Sequence, residues 1–559
     1  MVCSMGMGHT GIEVISAVGR VCDKPGDSAG GPLRIKKQNI KENNHMKKLL
    51  ALLLAVVMVL SLVACGSKDD SNTLTIGTAQ DINNLNPQMQ SDQINNNAIT
   101  LSHQGLIYLM NPAEQAATGE VYGPMVAKSW EWEDENTLVF HLFEGIKFSD
   151  GSALTAEDCV FTYEMAMSPE SNQAGTLKLL TGVEARDDLT FVIKTSSYSN
   201  DLMSALSTKP LVIQSKDAYA DSSNKEPWLI GSGQYKLESW VEGQSATYVK
   251  NENYWCTDTE GMNAPGVADK IIFKPLLEAT SRVMALQNGE INVCIDPLTT
   301  ELQFLEKDKN LVVHTEAGTR LFYFGFNCED EALSNKTLRQ AISCAIDKEA
   351  IVQIVLGGMG KTQNTVVNRG VPTFYDEPDL GAYSYDVERA KKLLAEAGYA
   401  EGELTFDLYA ATDDPYKTIA PLVQNNLKEI GINVNIVSLD QATLKAECQA
   451  GNHQLFLWRW NVIDRLSEIY SELFDIDYAS NYHHYANETV DEMAYEILTV
   501  KDSAERTAKS IELQKLLAEE APQVPLYVAD LIIAYRNGLA GTYFFGGGNH
   551  VWTHAYVAK

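Results

Sequence analysis

Apolar residues recur along this chain at two spacings, and the switches between them mark its elements. Residues 74–77 read as an opening strand, followed by the loop chemistry of Asp81-Ile82-Asn83-Asn84-Leu85-Asn86-Pro87. Residues 137–143 alternate as a half-buried strand does. Thr155 ahead of Ala156-Glu157-Asp158 predicts a helix start in which the threonine caps the amide near Asp158. A helix over 279–288, stopped by Gly289, leads into an apolar strand at 291–295. Residues 335–356 predict an amphipathic helix or a pair of helices. Asp386 caps a helix whose apolar positions Val387, Ala390, Leu394 and Ala397 share one face, with Gly398 as its stop. Strand 404–409, helix 416–429, Gly431 and strand 432–437 form a βαβ-like unit. With no internal repeat and no low-complexity linker, the pattern describes an α/β protein of several lobes.

One run obeys neither spacing. Residues 49–63 contain a single polar residue, Ser61, and follow Met46-Lys47-Lys48. As a helix the run covers about 22 Å, short of the ~30 Å hydrocarbon core, which favours a signal sequence over a permanent span. The lysines hold its near end on the cytoplasmic side. Leu62-Val63-Ala64-Cys65 resembles the lipobox of bacterial lipoproteins, which implies a diacylglycerol on the Cys65 sulfur and cleavage before it. The small and polar residues after Cys65 are a flexible tether. Residues 1–45 then read as an unrelated N-terminal extension, 46–64 as the signal peptide and 65–71 as the tether. Within the extension, Gly26-Asp27-Ser28-Ala29-Gly30-Gly31-Pro32 comes near the nucleophile loop of trypsin-like proteases. Ala29 is an insertion, and too little chain precedes Ser28 to supply histidine and aspartate partners.

Charge narrows the partners. Eight of the 44 basic and four of the 74 acidic side chains lie before Cys65, leaving 36 and 70, a formal charge of −34. Such a surface repels nucleic acid and anionic head groups. Six cysteines follow Cys65, at 159, 256, 294, 328, 344 and 448, with no CxxC pair, so neither a zinc knuckle nor a compact disulfide scaffold is signalled. Cys159 and Cys344 lie in apolar helical patterns and read as buried thiols. No GxSxG or HExxH occurs, and Ser222-Ser223-Asn224-Lys225 matches SxxK without a KTG to follow. Gly357-Gly358-Met359-Gly360-Lys361-Thr362 mimics a phosphate loop, but Val355 occupies its first glycine position and a helix precedes it. No cofactor and no catalytic residue is implied.

Several stretches, in order, resemble family 5 solute-binding proteins, the extracytoplasmic receptors of peptide and nickel ABC importers. They are Pro124 to Glu131, Phe140 to Gly151 and Leu154 to Phe161, then Gly231-Ser232-Gly233-Gln234-Tyr235 and Lys250 to Trp255. Phe326-Asn327, Leu338-Arg339-Gln340-Ala341-Ile342, Tyr385 to Gly398 and Ala521 to Tyr527 complete the set. The resemblance implies a two-lobed, periplasmic-binding-protein-like fold of the class II type, with a hinge and an extra subdomain inserted in the first lobe. Lobe I maps to 72–113, 231–316 and 531–559, the inserted subdomain to 114–230 and lobe II to 317–530. It also implies closure on a small ligand, most readily a di- or oligopeptide, delivery to ABC permease subunits, a monomer, and a place outside the cell membrane through Cys65.

In peptide-binding members, lobe II offers a Gly-Trp-x-x-Asp stretch whose acid pairs with the ligand's α-ammonium. Here that stretch is Leu457-Trp458-Arg459-Trp460-Asn461-Val462-Ile463-Asp464-Arg465: Trp460 matches, Arg459 replaces the glycine, and Asp464 comes one residue late. An acid and a guanidinium suit a zwitterionic peptide; two tryptophans with Arg459 equally suit a saccharide or another planar ligand. The tryptophans can instead be core. Asn327 is a candidate for the cleft floor or the hinge. Asn481-Tyr482-His483-His484-Tyr485 invites a nickel or other metal-chelate reading, against which adjacent strand residues point to opposite faces; Asn481 stays a candidate ligand-binding residue there. An extracytoplasmic hydrolase on the same scaffold is the rival class.

Overall fold

The computed structural model describes residues 72–559 except 90, 91, 209, 370, 372, 378, 379, 381–383, 462–465, 476, 477, 479, 546 and 559. The signal run, the lipobox with Cys65, the extension before it and Asp464 lie outside the described residues.

Three sheets organise the chain. The first has seven strands in the order Leu311–Glu316, Leu531–Arg536, Val293–Ile295, Thr73–Thr78, Lys270–Pro275, Ser245–Lys250, Tyr235–Val241. The second has four antiparallel strands, Ala127–Asp134, Thr137–Leu142, Thr190–Thr195 and Leu180–Asp187. The third has six, in the order Gly360–Thr362, Gln523–Ala529, Arg320–Phe326, Leu455–Asn461, Thr405–Ala411, Asn433–Leu439. Each sheet carries its own apolar core, and the helices Leu466–Phe474, Glu488–Thr499 and Ser503–Glu520 build a further cluster. The central strand Arg320–Phe326 is buried on both faces from Leu321 onward, which is why its sequence is one apolar run without alternation.

The predicted elements form with small shifts. Residues 335–356 are a helix pair, Lys336–Ala345 and Lys348–Leu356. The βαβ unit is Thr405–Ala411, Tyr416–Glu429 and Asn433–Leu439, its strands parallel. At the start of the helix Ala156–Met167 the Asp158 carboxylate accepts from the Thr155 N–H at 2.9 Å and hydroxyl at 3.3 Å. The strand expected over 291–295 is shorter, Val293–Ile295, because Glu290 and Ile291 donate to the Ala285 carbonyl and still belong to the helix end.

The family-like stretches turn out to be scaffold. A Cβ on Gly231 would stand 2.1 Å from the Ser102 carbonyl oxygen, and one on Gly233 2.5 Å from the Ser102 carbonyl carbon, so only glycine lets these backbones meet. Asn251 donates to Gly233 O at 2.9 Å and Asn253 to Ser149 O at 3.0 Å, tying the second-sheet region to the first sheet. Arg339 is buried and gives its guanidinium to the carbonyls of Leu333, Ser334, Glu520 and Ala521.

Candidate ligand-binding cleft

The first and third sheets are joined by two short passages: 317–319, from Leu311–Glu316 into Arg320–Phe326, and Asp530 alone, from Gln523–Ala529 into Leu531–Arg536. The directions of the strands place a cleft beside these passages. Val293–Ile295 runs antiparallel to Leu531–Arg536, as does Leu311–Glu316, so both end at the crossovers. Leu455–Asn461 runs antiparallel to Arg320–Phe326, and Thr405–Ala411 runs parallel to Leu455–Asn461, so their carboxyl ends face the crossovers too. Ligands of open α/β sheets bind outside the carboxyl ends of strands, and here two such edges face one gap.

The first sheet contributes Asp296, immediately after Val293–Ile295. Its backbone is left-handed, φ 50°, and is held there by Ile532 O, which accepts its N–H at 3.2 Å, and by Arg282, which donates to its carbonyl at 2.8 Å. Arg282 spends its remaining donors on Ile295, Leu276 and Leu277. Asp296 is open to solvent yet crowded by protein on most sides. That crowding raises its carboxyl pKa, while Arg282 and Arg320 pull the other way.

From the third sheet, Arg320 and Arg459 reach the same edge. Arg459 pairs with Phe322 and Arg320 with Asn461, so the two arginines are diagonal neighbours on one face. Burial and the Arg459 charge lower the pKa of Arg320. Beside them lies an aromatic group: Phe322 stacks on Tyr527 at 4.9 Å and 20° and meets Tyr416 at 6.0 Å. Burial pushes Tyr416 up to about 12, and the buried Tyr527 hydroxyl has no hydrogen-bond partner among the described residues. Beside the crossovers, a cavity of about 220 Å³ is lined by their backbone with Lys361, Arg369 and Asp530.

The pleat divides the tryptophan stretch. Trp458 and Trp460 share the face opposite Arg459, so the three do not form one stacking platform. Both tryptophans are half-buried and pack on the core of the third sheet; Tyr482 meets Trp458 edge-on at 5.4 Å, and Trp460 also touches the helical cluster. The Trp460 indole N–H is buried without an acceptor among the described residues. Asn461 closes the strand opposite Arg320.

Two candidates stand elsewhere. Asn327 follows the far end of Arg320–Phe326, roughly 20 Å along the strand from Arg320. Its buried amide donates to Gly451 O and His453 O and accepts from Glu329 N–H, so it secures loops at the end of the sheet away from the crossovers. Asn481 is buried as well, donating to Phe474 O and Tyr485 O. His483 and His484 lie in a turn: His483 is buried against Tyr323 and Phe474, whereas His484 bonds to Cys448 O at 2.8 Å. Among the described residues no group of three His, Cys, Asp or Glu side chains could hold a metal.

Sequence reasoning missed Asp296 and Arg320. The only local signal for Asp296 was an acid directly after an apolar strand, and Arg320 gains meaning only once its strand lies beside Arg459.

Comparison with known proteins bears on the fold and the family. The family model described as bacterial extracellular solute-binding proteins, family 5 middle, matches residues 121–479. Oligopeptide-binding protein AppA of Bacillus subtilis is 27% identical over 429 residues, 71% of this chain and 76% of that protein. Heme-binding protein A of Haemophilus influenzae is 26% identical over 437 residues, 72% and 78% of the two chains. The solved structure of the periplasmic binding protein DppA from Helicobacter pylori in complex with the peptide STSA superposes with a TM-score of 0.71, at 22% identity, over 87% of this chain and 98% of that one. The two-lobed fold is therefore that of periplasmic binding proteins.

Proposed function

Since the chain belongs to the family 5 bacterial extracellular solute-binding proteins, we propose that it is the receptor of an ABC importer, closing on a short peptide and presenting it to a permease without altering it. The single observation that carries this reading is the cleft at the crossovers, where Asp296 of one sheet lies within electrostatic reach of Arg320 of the other, and Arg459 stands beside Arg320. Opposite charges on facing walls, one acidic and one basic, suit a zwitterion that bridges the lobes. The names of AppA and of the STSA-bound DppA support the peptide class.

In this reading the first sheet with 72–113, 231–316 and 531–559 is lobe I, 114–230 the inserted subdomain and 317–530 lobe II. Ligand contacts to both walls favour the closed population in proportion to their difference between open and closed forms. Cys65 carries the lipid that keeps the monomeric receptor at the outer face of the membrane, and the rest of the tether, to residue 71, lets it swing to its permease.

Calorimetry and small-angle scattering of residues 66–559 with di-, tri- and tetrapeptides test the proposal. Saturable peptide binding, compaction and recovery of the intact peptide are expected. A chain that binds a saccharide or a nickel–histidine chelate but no peptide, or that returns the peptide hydrolysed, overturns it.

A further inference from the structure

Arg459 makes no hydrogen bond and no ion pair among the described residues, although it is half-buried and within electrostatic reach of a second guanidinium, Arg320. Asp296 likewise has no ion pair within 4.0 Å and no hydrogen bond to its carboxylate there, because Arg282 is committed to four backbone carbonyls. Two like charges thus stand on neighbouring strands, and across the gap Asp296, held in a left-handed backbone, feels the Arg320 charge without closing an ion pair within 4.0 Å among the described residues, an arrangement that suits a ligand carrying both charges.

We propose that the Arg459–Arg320 pair on lobe II receives the ligand's carboxylate and that Asp296 on lobe I receives its ammonium, so that the peptide lies with its C-terminus toward the strand Leu455–Asn461. This rests on the peptide-receptor reading and deepens it. It reverses the polarity implied by the Gly-Trp-x-x-Asp resemblance, in which lobe II holds the amine. The reversal follows from this chain's own substitutions: the glycine position carries a guanidinium, and the sheet places Arg320 beside it. A guanidinium pair binds a carboxylate through parallel N–H donors, and removal of water from the closing cleft strengthens the contact.

The test is calorimetry of the processed chain with di-, tri- and tetra-alanine, each as the free peptide, the C-terminal amide and the N-acetyl form. The wild-type chain is expected to lose at least tenfold in affinity on amidation and on acetylation. Arg459→Gln is expected to bind the free and amidated peptides equally while still rejecting the acetylated one; Asp296→Asn shows the converse. Arg459→Lys, which retains charge, restores part of the preference for the free carboxylate and guards against a misfolded glutamine variant. If Arg459→Gln keeps the full preference for the free carboxylate, or loses discrimination at the amine instead, the polarity is wrong while the peptide receptor stands. If the wild-type chain binds none of these peptides, the receptor reading falls and the polarity with it.

Discussion

The Asp201 carboxylate accepts the backbone N–H of Ser467 at 2.7 Å and that of Leu466 at 3.2 Å, so a side chain that follows the four-stranded sheet caps a helix that follows the strand of Arg459. Its neighbour Asn200 donates to Leu498 O at 3.0 Å and Val500 O at 2.7 Å, occupying carbonyls at the end of another helix, Glu488–Thr499. Arg506 donates to the Asn200 oxygen at 2.8 Å. Two consecutive residues thus satisfy helix ends that lie far away in sequence.

Loss of a helix cap costs about 1 kcal/mol. Asp201→Ala is therefore expected to lower stability by roughly 1–2 kcal/mol. In the lobe division proposed above, this contact lies between the inserted segment and lobe II, and its loss is then expected to weaken peptide affinity by up to about tenfold, since 1.4 kcal/mol is tenfold. Urea denaturation and calorimetry read the two effects; unchanged values in both would show that the cap is idle.

At the crossovers, a Cβ on Gly318 would stand 1.8 Å from the Ala529 carbonyl oxygen. Gly318→Ala is expected to force the two passages apart and to cost roughly 2–4 kcal/mol. Gly182→Ala, where nothing lies within 4 Å of the added methyl, is the matched control and is expected to stay within about 0.5 kcal/mol. Thermal melts of both variants check the contrast.

Arg339→Leu removes the donors that satisfy the carbonyls of Leu333, Ser334, Glu520 and Ala521, those of Leu333 and Ala521 in buried hydrogen bonds. A loss of about 3 kcal/mol or more in folding free energy is expected. The variant that still folds is expected to bind peptide as before, because Arg339 sits on the helix Lys336–Ala345 and away from the crossover edge. A binding defect without a stability defect would contradict that assignment.

Three buried imidazoles set an acid limit. Burial lowers His483 to about 3, and His103 and His453 to about 4. Unfolded, each titrates near 6.5, so between those values the unfolded chain binds more protons and stability falls as pH falls. Above about pH 6.5 the groups are neutral in both states and contribute nothing to the slope. Each adds up to about 1.4 kcal/mol per pH unit, giving roughly 4 kcal/mol per unit for the three near pH 5. Denaturation midpoints that stay level from pH 6.5 to 4.5 would refute this.

What could be read from the sequence divides along physical lines. Strands and helices were legible because their periods are local, and the Gly231, Asn251 and Arg339 stretches were legible through their resemblance to the family; in this chain they serve backbone junctions. The candidate wall was legible only in part. Arg459 and Trp460 were singled out together, but the pleat sets them on opposite faces, and Arg320, the diagonal neighbour of Arg459, comes from a strand some 140 residues earlier. Asn327 and Asn481 tie loops together through buried amides, and in one dimension such an asparagine looks like one that greets a ligand.

The brevity of the two passages, 317–319 and Asp530 alone, also has a practical outcome. A swing about so short an axle is nearly one-dimensional, and a single distance describes it. Met284, on the helix Ala279–Asn288, and Ile354, on the helix Lys348–Leu356, are both more than half exposed and lie on either side of that axle. A donor and acceptor dye at these two sites would turn the molecule into an optical gauge of its own ligand.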